Sequence, residues 1–288
     1  MSNSGRFVTR QVERGVVQEP ESPLIPSAWP ETSSPVPPAT LPPAPEEDPV
    51  WNGWDVVLIA AITLFSIFVF VLATTFVVQK ALYRRLPLME VGKFPLVTVI
   101  AQLLAYVVVF AFMVWLVRVH YGRKFFYAMR WKWPRGWWRY LGVGVVLSIS
   151  LQAVANFLPM PKELPIDKFF QTPAEAWVLS LFGMSVAPLM EELFFRGFLY
   201  PVLVRRLGIS GGVALTSLGF GLIHAPQLGR AWAPVLVVFL VGVALTVVRA
   251  RTKSVAASML VHMAYNGTLS LALFVASGGF RHLEKLNQ

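Results

Sequence analysis

Seven long runs of apolar residues make up most of this chain, and short polar segments separate them. Each run holds about 20 residues, the length that a helix needs to cross the hydrocarbon core of a bilayer. The pattern therefore predicts an all-α, polytopic bundle of seven transmembrane helices, with an eighth crossing if the aromatic stretch 121–139 re-enters the membrane. The predicted spans lie near residues 56–79, 95–117, 141–159, 176–202, 211–229, 232–249 and 254–276.

Composition supports a membrane protein. Hydrophobic residues make up 56% of the chain and charged residues only 14%, with a mean hydropathy of +0.60. An ordinary soluble domain is about 45–50% apolar and about 25% charged. The first apolar run begins near Asp55, so we expect a retained anchor rather than a cleaved signal peptide. The chain has no cysteine, which excludes disulfides, thiolate metal sites and thiol nucleophiles.

The N-terminal 50 residues differ from the rest. Residues 1–50 contain 11 of the 22 prolines, a composition that cannot bury a core and predicts an extended, disordered tail. We divide the remainder into a pair of spans with a basic, aromatic loop (51–140), a helical core (141–276) and a short C-terminal tail (277–288). The candidate chemistry falls in the core.

The basic residues predict an orientation. With the N-terminus in the cytoplasm, 15 Lys and Arg residues lie on the cytoplasmic side and nine on the other. This bias favours a cytoplasmic N-terminus. We expect an integral, multi-pass protein of the plasma membrane. The net charge of +10 does not indicate nucleic-acid binding, because the cations lie in loops between apolar spans. An interfacial aromatic belt is predicted from Trp131, Trp133, Trp137 and Trp138.

The fourth predicted span contains three ionisable residues, Glu191, Glu192 and Arg196. A charge at the centre of a membrane helix costs about 2.5–3.5 kcal/mol, so such groups usually pair or line a wet cavity. Adjacent residues on a helix point about 100° apart, so Glu191 and Glu192 cannot face the same point. Glu192 and Arg196 share a face and can pair, which leaves Glu191 to project into a site as a general base. A purely structural ion network is the alternative.

Two histidines also lie inside apolar spans. His224 follows Phe220 by four residues on the fifth span, and His262 precedes Asn266 by four residues on the last span. Residues four apart lie on one helix face. A single intramembrane histidine is often a packing residue, but two of them with a carboxylate and an amide indicate a site shared by three helices. Glu191, His224 and His262 are also a candidate ligand set for an open zinc site.

The three motifs resemble those of a known family. Glu-Glu-x-x-x-Arg at 191–196, Phe-x-x-x-His at 220–224 and His-x-x-x-Asn at 262–266 are similar, in that order, to the signature motifs of the CPBP intramembrane proteases. That family includes the type II CAAX prenyl endopeptidases and bacterial proteins of the Abi group. The resemblance covers roughly residues 175–270 and implies an intramembrane endopeptidase.

The resemblance also implies a role for each motif residue. Glu191 and His224 would activate a water molecule, and His262 and Asn266 would stabilise the oxyanion. Glu192 and Arg196 would hold the helix geometry. The site would be of the metalloprotease type, with zinc as the candidate metal.

The implied partners are the lipid bilayer and a membrane-associated peptide or protein substrate, lipidated substrates included. Two other functions are consistent with buried ionisable residues. An ion-coupled transporter would place Glu, His and Arg in a similar environment, although the two halves of the chain show no convincing repeat. A catalytically silent membrane scaffold of the same fold is the other alternative.

Overall fold

The structure is a computed structural model that describes residues 49–283. Within this range the chain is helical and contains no β-strand. Of the predicted N-terminal tail, residues 1–48 lie outside the described part, as do residues 284–288 of the C-terminal tail. The α-helices are α1 (Gly53–Ala81), α2 (Leu88–Val91), α3 (Pro95–Trp115), α4 (Phe125–Ala128), α5 (Trp137–Ala155), α6 (Pro173–Met184), α7 (Val186–Glu192), α8 (Tyr200–His224), α9 (Trp232–Thr252) and α10 (Val255–Ala276).

Three short irregular helices join these elements. A π-helical turn, Leu116–His120, extends α3, and a second, Leu193–Leu199, links α7 to α8. A 3₁₀ helix, Pro165–Phe169, precedes α6.

The described residues contain six helical stretches long and apolar enough to cross a membrane. One of them, Pro173–His224, has 52 residues and would measure about 78 Å if straight, more than twice the thickness of a bilayer core. It reverses at Gly208, whose backbone (φ 71°, ψ 178°) is not helical. A Cβ on Gly212 would lie only 2.6 Å from Val204, which shows that the chain doubles back there. This stretch therefore supplies two crossings, and the predicted all-α transmembrane bundle is confirmed.

The stretch 121–139 is not among the membrane-spanning candidates of the described chain. It forms the short helix α4 and then turns into α5. The eighth crossing that its aromatic residues suggested does not form, because the chain packs across one end of the bundle.

Helix α1 faces lipid along most of its length. Its Leu64, Phe65 and Phe68 side chains are 71%, 69% and 63% exposed. So large an apolar surface would be unfavourable in water, but in a bilayer it is solvated by acyl chains. The helix begins where Asn52 and Asp55 form a capping box, with Asn52 Oδ1 accepting from the Trp54 N–H at 2.7 Å.

Alternate crossings leave two ends of the bundle. The end that we call the basic face comprises segments 116–137, 205–208 and 252–254. The end that we call the opposite face comprises segments 82–94, 156–172, 225–231 and 277–283. Hydrogen bonds join segments within each end: Val255 N–H donates to the Arg130 carbonyl at the basic face (3.2 Å), and Ile166 N–H donates to the Gln227 carbonyl at the opposite face (3.1 Å).

Small residues allow the core helices to approach closely, as in other membrane bundles. An added Cβ at Gly221 of α8 would lie 3.3 Å from the Phe239 backbone of α9. At Gly144 of α5, an added Cβ would overlap the Val261 carbonyl oxygen and lie 2.6 Å from Ala264 of α10. Helix α10, which carries His262, is thus held against α5 by backbone contact.

This contact predicts that Gly144→Ala destabilises the bundle. Because backbone atoms of α10 would have to move, we expect a loss of about 1–3 kcal/mol in the free energy of unfolding, measured in detergent. Gly142→Ala is the matched control on the same helix, since nothing lies within 4 Å of its added Cβ. Equal stability of the two variants would contradict the packing described here.

Candidate active site

The two adjacent glutamates of α7 have different surroundings. Glu191 has an 18% exposed side chain and lines a cavity, whereas the Glu192 side chain is fully buried. The chain breaks at Ser185 (φ −127°, ψ −75°) just before α7 and continues as a π-helical turn just after it. Such π-turns occur frequently at functional sites. The structure thus places one carboxylate of the pair at a cavity and the other in the core.

Glu192 is the centre of a buried ion network. Its Oε1 accepts from Arg196 Nη1 at 2.8 Å and lies 3.0 Å from His262 Nδ1. Arg196 also donates from Nη2 to the Gly242 carbonyl (3.0 Å) and from Nε to Thr246 Oγ1 (3.3 Å). The predicted ion pair four residues apart is therefore present, and it bonds α7 to α9 and α10.

Aromatic packing completes the surroundings of Arg196. Its guanidinium carbon lies 4.6 Å from the centre of the Phe220 ring, a cation–π distance. The same ring lies 4.8 Å from the His224 ring and 5.6 Å from the His262 ring. Phe220, the first residue of the second motif, thus lies between the buried cation and the two imidazoles.

The hydrogen-bond partners assign the tautomers of both histidines. His224 Nδ1 lies 2.7 Å from the Phe220 carbonyl oxygen, which can only accept, so Nδ1 carries the proton. His262 Nδ1 faces the Glu192 carboxylate and carries the proton for the same reason. In the neutral imidazoles both Nε2 atoms are therefore acceptors.

These two nitrogens and Glu191 face one another. Glu191 Oε1 lies 3.9 Å from His224 Nε2, and Glu191 Oε2 lies 3.8 Å from His262 Nε2. Both separations are too long for a direct hydrogen bond but suit a bridging water molecule. The structure thus brings Glu191, His224 and His262 together from three helices, as the sequence predicted.

Asn266 lies at the same cavity, but its amide already has one partner. Its Nδ2 donates to the Gly183 carbonyl of α6 at 2.7 Å, a bond that fixes the side chain next to the break at Ser185. A primary amide has two N–H groups, so one remains for a ligand. The oxyanion role implied for Asn266 stays a prediction.

The cavity has a volume of about 420 Å³ and a mainly apolar wall, within the range of small-molecule and peptide sites. Helices α3 and α6–α10 contribute to it, together with the segment around the 3₁₀ helix. Its three carboxylate and imidazole side chains, those of Glu191, His224 and His262, meet at one point of this wall.

Sequence reasoning missed the contribution of α3. Thr98 and Gln102 line the cavity, and Gln102 Nε2 donates to Tyr106 Oη at 2.8 Å. These three residues follow one another at intervals of four, so they share one face of an otherwise apolar helix. That spacing was a signal that could have identified them as facing the site.

The zinc expectation stays a prediction. Two imidazole Nε2 atoms and a carboxylate are a suitable donor set, but a zinc site needs every ligand within about 2.0–2.2 Å of one point. In the part of the chain that the structure describes, no group of three or more His, Asp or Glu side chains has the spacing to hold a metal ion. As placed, the three residues do not fit a bound metal, and the mechanism below uses none.

The buried network predicts that its two charges stabilise the protein only together. Arg196→Met would leave Glu192 charged and buried without its cation, so we expect a loss of about 3–5 kcal/mol in the free energy of unfolding. Adding Glu192→Gln removes that charge but keeps an acceptor for His262, so the double variant should regain part of this loss. Thermal unfolding in detergent would measure both, and a double variant less stable than Arg196→Met would contradict the pairing.

Comparison with known proteins agrees with the geometry. Residues 173–268 match the family model described as type II CAAX prenyl endopeptidase Rce1-like. The comparison with curated proteins gave no significant match, and neither did the comparison with solved structures. The matched range contains all three motifs and all six predicted site residues, but it excludes α1, α3 and α5. The resemblance inferred from the motifs is confirmed: residues 173–268 match the type II CAAX prenyl endopeptidase Rce1-like model, in agreement with the CPBP family of CAAX proteases.

Proposed function

We propose that the protein is an intramembrane endopeptidase in which Glu191 activates a water molecule to hydrolyse a peptide bond of a membrane-associated substrate. The observation that carries the proposal is the position of the Glu191 carboxylate, 3.8–3.9 Å from the Nε2 atoms of two histidines on separate helices. The family match supports a protease in general. The assignment of individual roles is the proposal.

In the first step, a water molecule between these groups donates one proton to Glu191 and its other hydrogen bond to His224 Nε2. The resulting hydroxide attacks the peptide carbonyl carbon, and the carbonyl oxygen becomes an oxyanion. The protonated Glu191 then transfers its proton to the departing amine, so that the C–N bond breaks and the carboxylate is restored. No other reactant is required.

Asn266 and His262 are the proposed donors to the oxyanion. Asn266 keeps one N–H beyond its bond to Gly183. His262 donates from Nε2 only as an imidazolium, and Glu192, 3.0 Å from Nδ1, is placed to balance that charge. Preorganised donors of this kind act most strongly where water is excluded.

The apolar wall supports a substrate with an apolar group near the scissile bond. Phe169, Phe170 and Leu179 line the cavity. A transmembrane segment or a lipid-modified peptide would bury such a group there. A prenylated peptide with a CAAX-type C-terminus is the first probe to test, because it is the substrate class that the family's name describes.

Glu191→Gln should reduce cleavage of such a probe by at least about 100-fold, because the amide cannot take a proton from water. The readout is peptide cleavage by purified protein, together with a comparison of membrane peptides in cells that express each form. The matched control is Glu175→Gln, the same chemical change in the exposed capping box of α6, which glutamine preserves. Undiminished cleavage by Glu191→Gln would reject the assigned role.

Metal dependence is a separate prediction. Because the site residues are not spaced as a metal cluster, we expect purified protein to hold far less than one equivalent of zinc and to keep its activity with a chelator. Elemental analysis and cleavage assays would measure this. Zinc near one equivalent that is lost on His224→Ala, with activity abolished by chelation, would instead identify these residues as metal ligands.

A further inference from the structure

Helix α3 carries a row of three polar residues in an otherwise apolar membrane span. Thr98, Gln102 and Tyr106 follow one another at intervals of four and share one face of the helix. Leu103 and Val107, beside the row, are 38% and 68% exposed and face lipid. The row itself is half-buried, and its Thr98 and Gln102 line the cavity. Polar side chains inside a membrane span are costly and usually functional, so we looked for a role of this row at the cavity.

On the side of α3, the cavity is closed just beyond Gln102. The α3 residues that line the cavity are Pro95, Thr98, Val99 and Gln102. Further along the helix, Val109 and Met113 are each 1% exposed and belong to the hydrophobic cluster that also contains Leu193. Leu193 directly follows Glu192, so this cluster lies against the end of α7. Gln102 is therefore the deepest α3 residue of the cavity.

The contacts of Tyr106 connect this row to the proposed catalytic groups. The Tyr106 ring stacks on the Phe182 ring of α6, with the ring centres 6.1 Å apart. Phe182 is followed by Gly183, whose carbonyl accepts from Asn266 at 2.7 Å. The Tyr106 phenol also lies close enough to Glu191 for the two groups to interact electrostatically. The polar row is thus next to the point at which hydrolysis is proposed to occur.

The Gln102 amide is held in place and still has hydrogen-bonding groups to offer. Its Nε2 donates to Tyr106 Oη at 2.8 Å, and within residues 49–283 its side chain makes no second hydrogen bond. A primary amide has two N–H groups and a carbonyl oxygen, so one donor and the acceptor remain. The acceptor is not sealed inside the protein, and Gln102 lines the cavity. These groups are therefore available to a ligand.

A bound peptide would bring the complementary groups. Main-chain N–H and C=O groups that leave water need hydrogen-bond partners, and the cavity wall is mainly apolar. The groups assigned to water and to the oxyanion in the proposed mechanism are already engaged, whereas Gln102 is not. A side-chain amide offers one donor and one acceptor to a peptide group whatever the substrate's side chains are.

We propose that Gln102 binds one main-chain peptide group of the substrate next to the scissile bond, and that Tyr106 is the positioning residue that holds its amide. This inference rests on the proposed function, because it takes the ligand of the cavity to be a peptide. It assigns part of the substrate site to α3, a helix outside residues 173–268, the range that matches the protease family model. Pairing at Gln102 fixes the position of the peptide relative to Glu191.

Peptide analogues with one backbone atom changed test the pairing. In a series of prenylated peptides with a CAAX-type C-terminus, each N–H near the scissile bond is replaced in turn by an ester oxygen, which removes one donor. Binding is measured in detergent with Glu191→Gln protein, so that no hydrolysis occurs. One ester should weaken binding about 3–10-fold, the effect of one hydrogen bond. With Gln102→Leu added, the same ester should weaken binding less than about twofold, because its partner is already missing.

Gln152→Leu is the matched control. Gln152 lies on α5, is exposed and does not line the cavity, so the same exchange there should leave the effect of the ester unchanged. The inference would be overturned if every ester had equal effects with and without Gln102→Leu, or if none of the peptides bound.

Tyr106→Phe tests the positioning role. The change removes the hydroxyl that accepts from Gln102 and keeps the ring that stacks on Phe182. We expect an ester effect between that of the Glu191→Gln protein and that of the protein with Gln102→Leu, because the amide is no longer held in one orientation. A merely structural tyrosine would leave the ester effect unchanged, and that result would reject the role of Tyr106.

The binding measurements do not require turnover, which separates this inference from the proposed function. If the peptides bind with the expected dependence on Gln102 but protein with Glu191 does not cleave them, the proposed function fails and the inference holds. If the peptides are cleaved and the ester effects do not depend on Gln102, the proposed function holds and the inference fails.

Discussion

The buried contact between Glu192 and Arg196 is the constraint on which the site depends. Two charges inside an apolar bundle are tolerated only when each is paired and hydrogen-bonded. Arg196 meets this requirement through Glu192, the Gly242 carbonyl and Thr246. Glu192 meets it partly through His262. The network therefore fixes the relative positions of α7, α9 and α10, and it also fixes the orientation of an imidazole that faces the cavity.

Helix geometry explains how the Glu191–Glu192 pair both stabilises the bundle and supplies a carboxylate to the cavity. The rotation of about 100° between neighbouring residues sends Glu192 into the core and leaves Glu191 at the cavity. A carboxylate beside a rigid, charge-balanced network has little freedom to move. Glu192 thus positions the carboxylate of its neighbour Glu191. From α7 it also positions His262, which lies on α10.

The sequence was sufficient to predict contacts within a helix and the convergence of unusual residues. Glu192 and Arg196 were predictable because a spacing of four residues defines a helix face, and two histidines in apolar spans indicated where the helices meet. The bond from His262 to Glu192 and that from Asn266 to Gly183 were not predictable, because they join residues 70 and 83 positions apart. Sequence spacing contains no information on which faces of separate helices touch. The reversal at Gly208 was predicted only as a gap between two spans, since the local residues do not specify how sharply the chain turns.

A cavity closed at one end also bears on the rival functions. A transporter must expose its site to each side of the membrane in turn, so the elements below the site must be able to separate. Here the π-turn after Glu192, the segment of Phe125 and Met129 and the start of α1 form one packed core, in which Trp51 Nε1 donates to the Phe198 carbonyl at 3.0 Å. Opening that end would break this core together with the network around Arg196. Hydrolysis requires no such opening, because water, substrate and products can all use the same mouth. The architecture therefore favours an enzyme, which acts on a substrate bound in the cavity, over a transporter, which must release its ligand on the other side of the membrane.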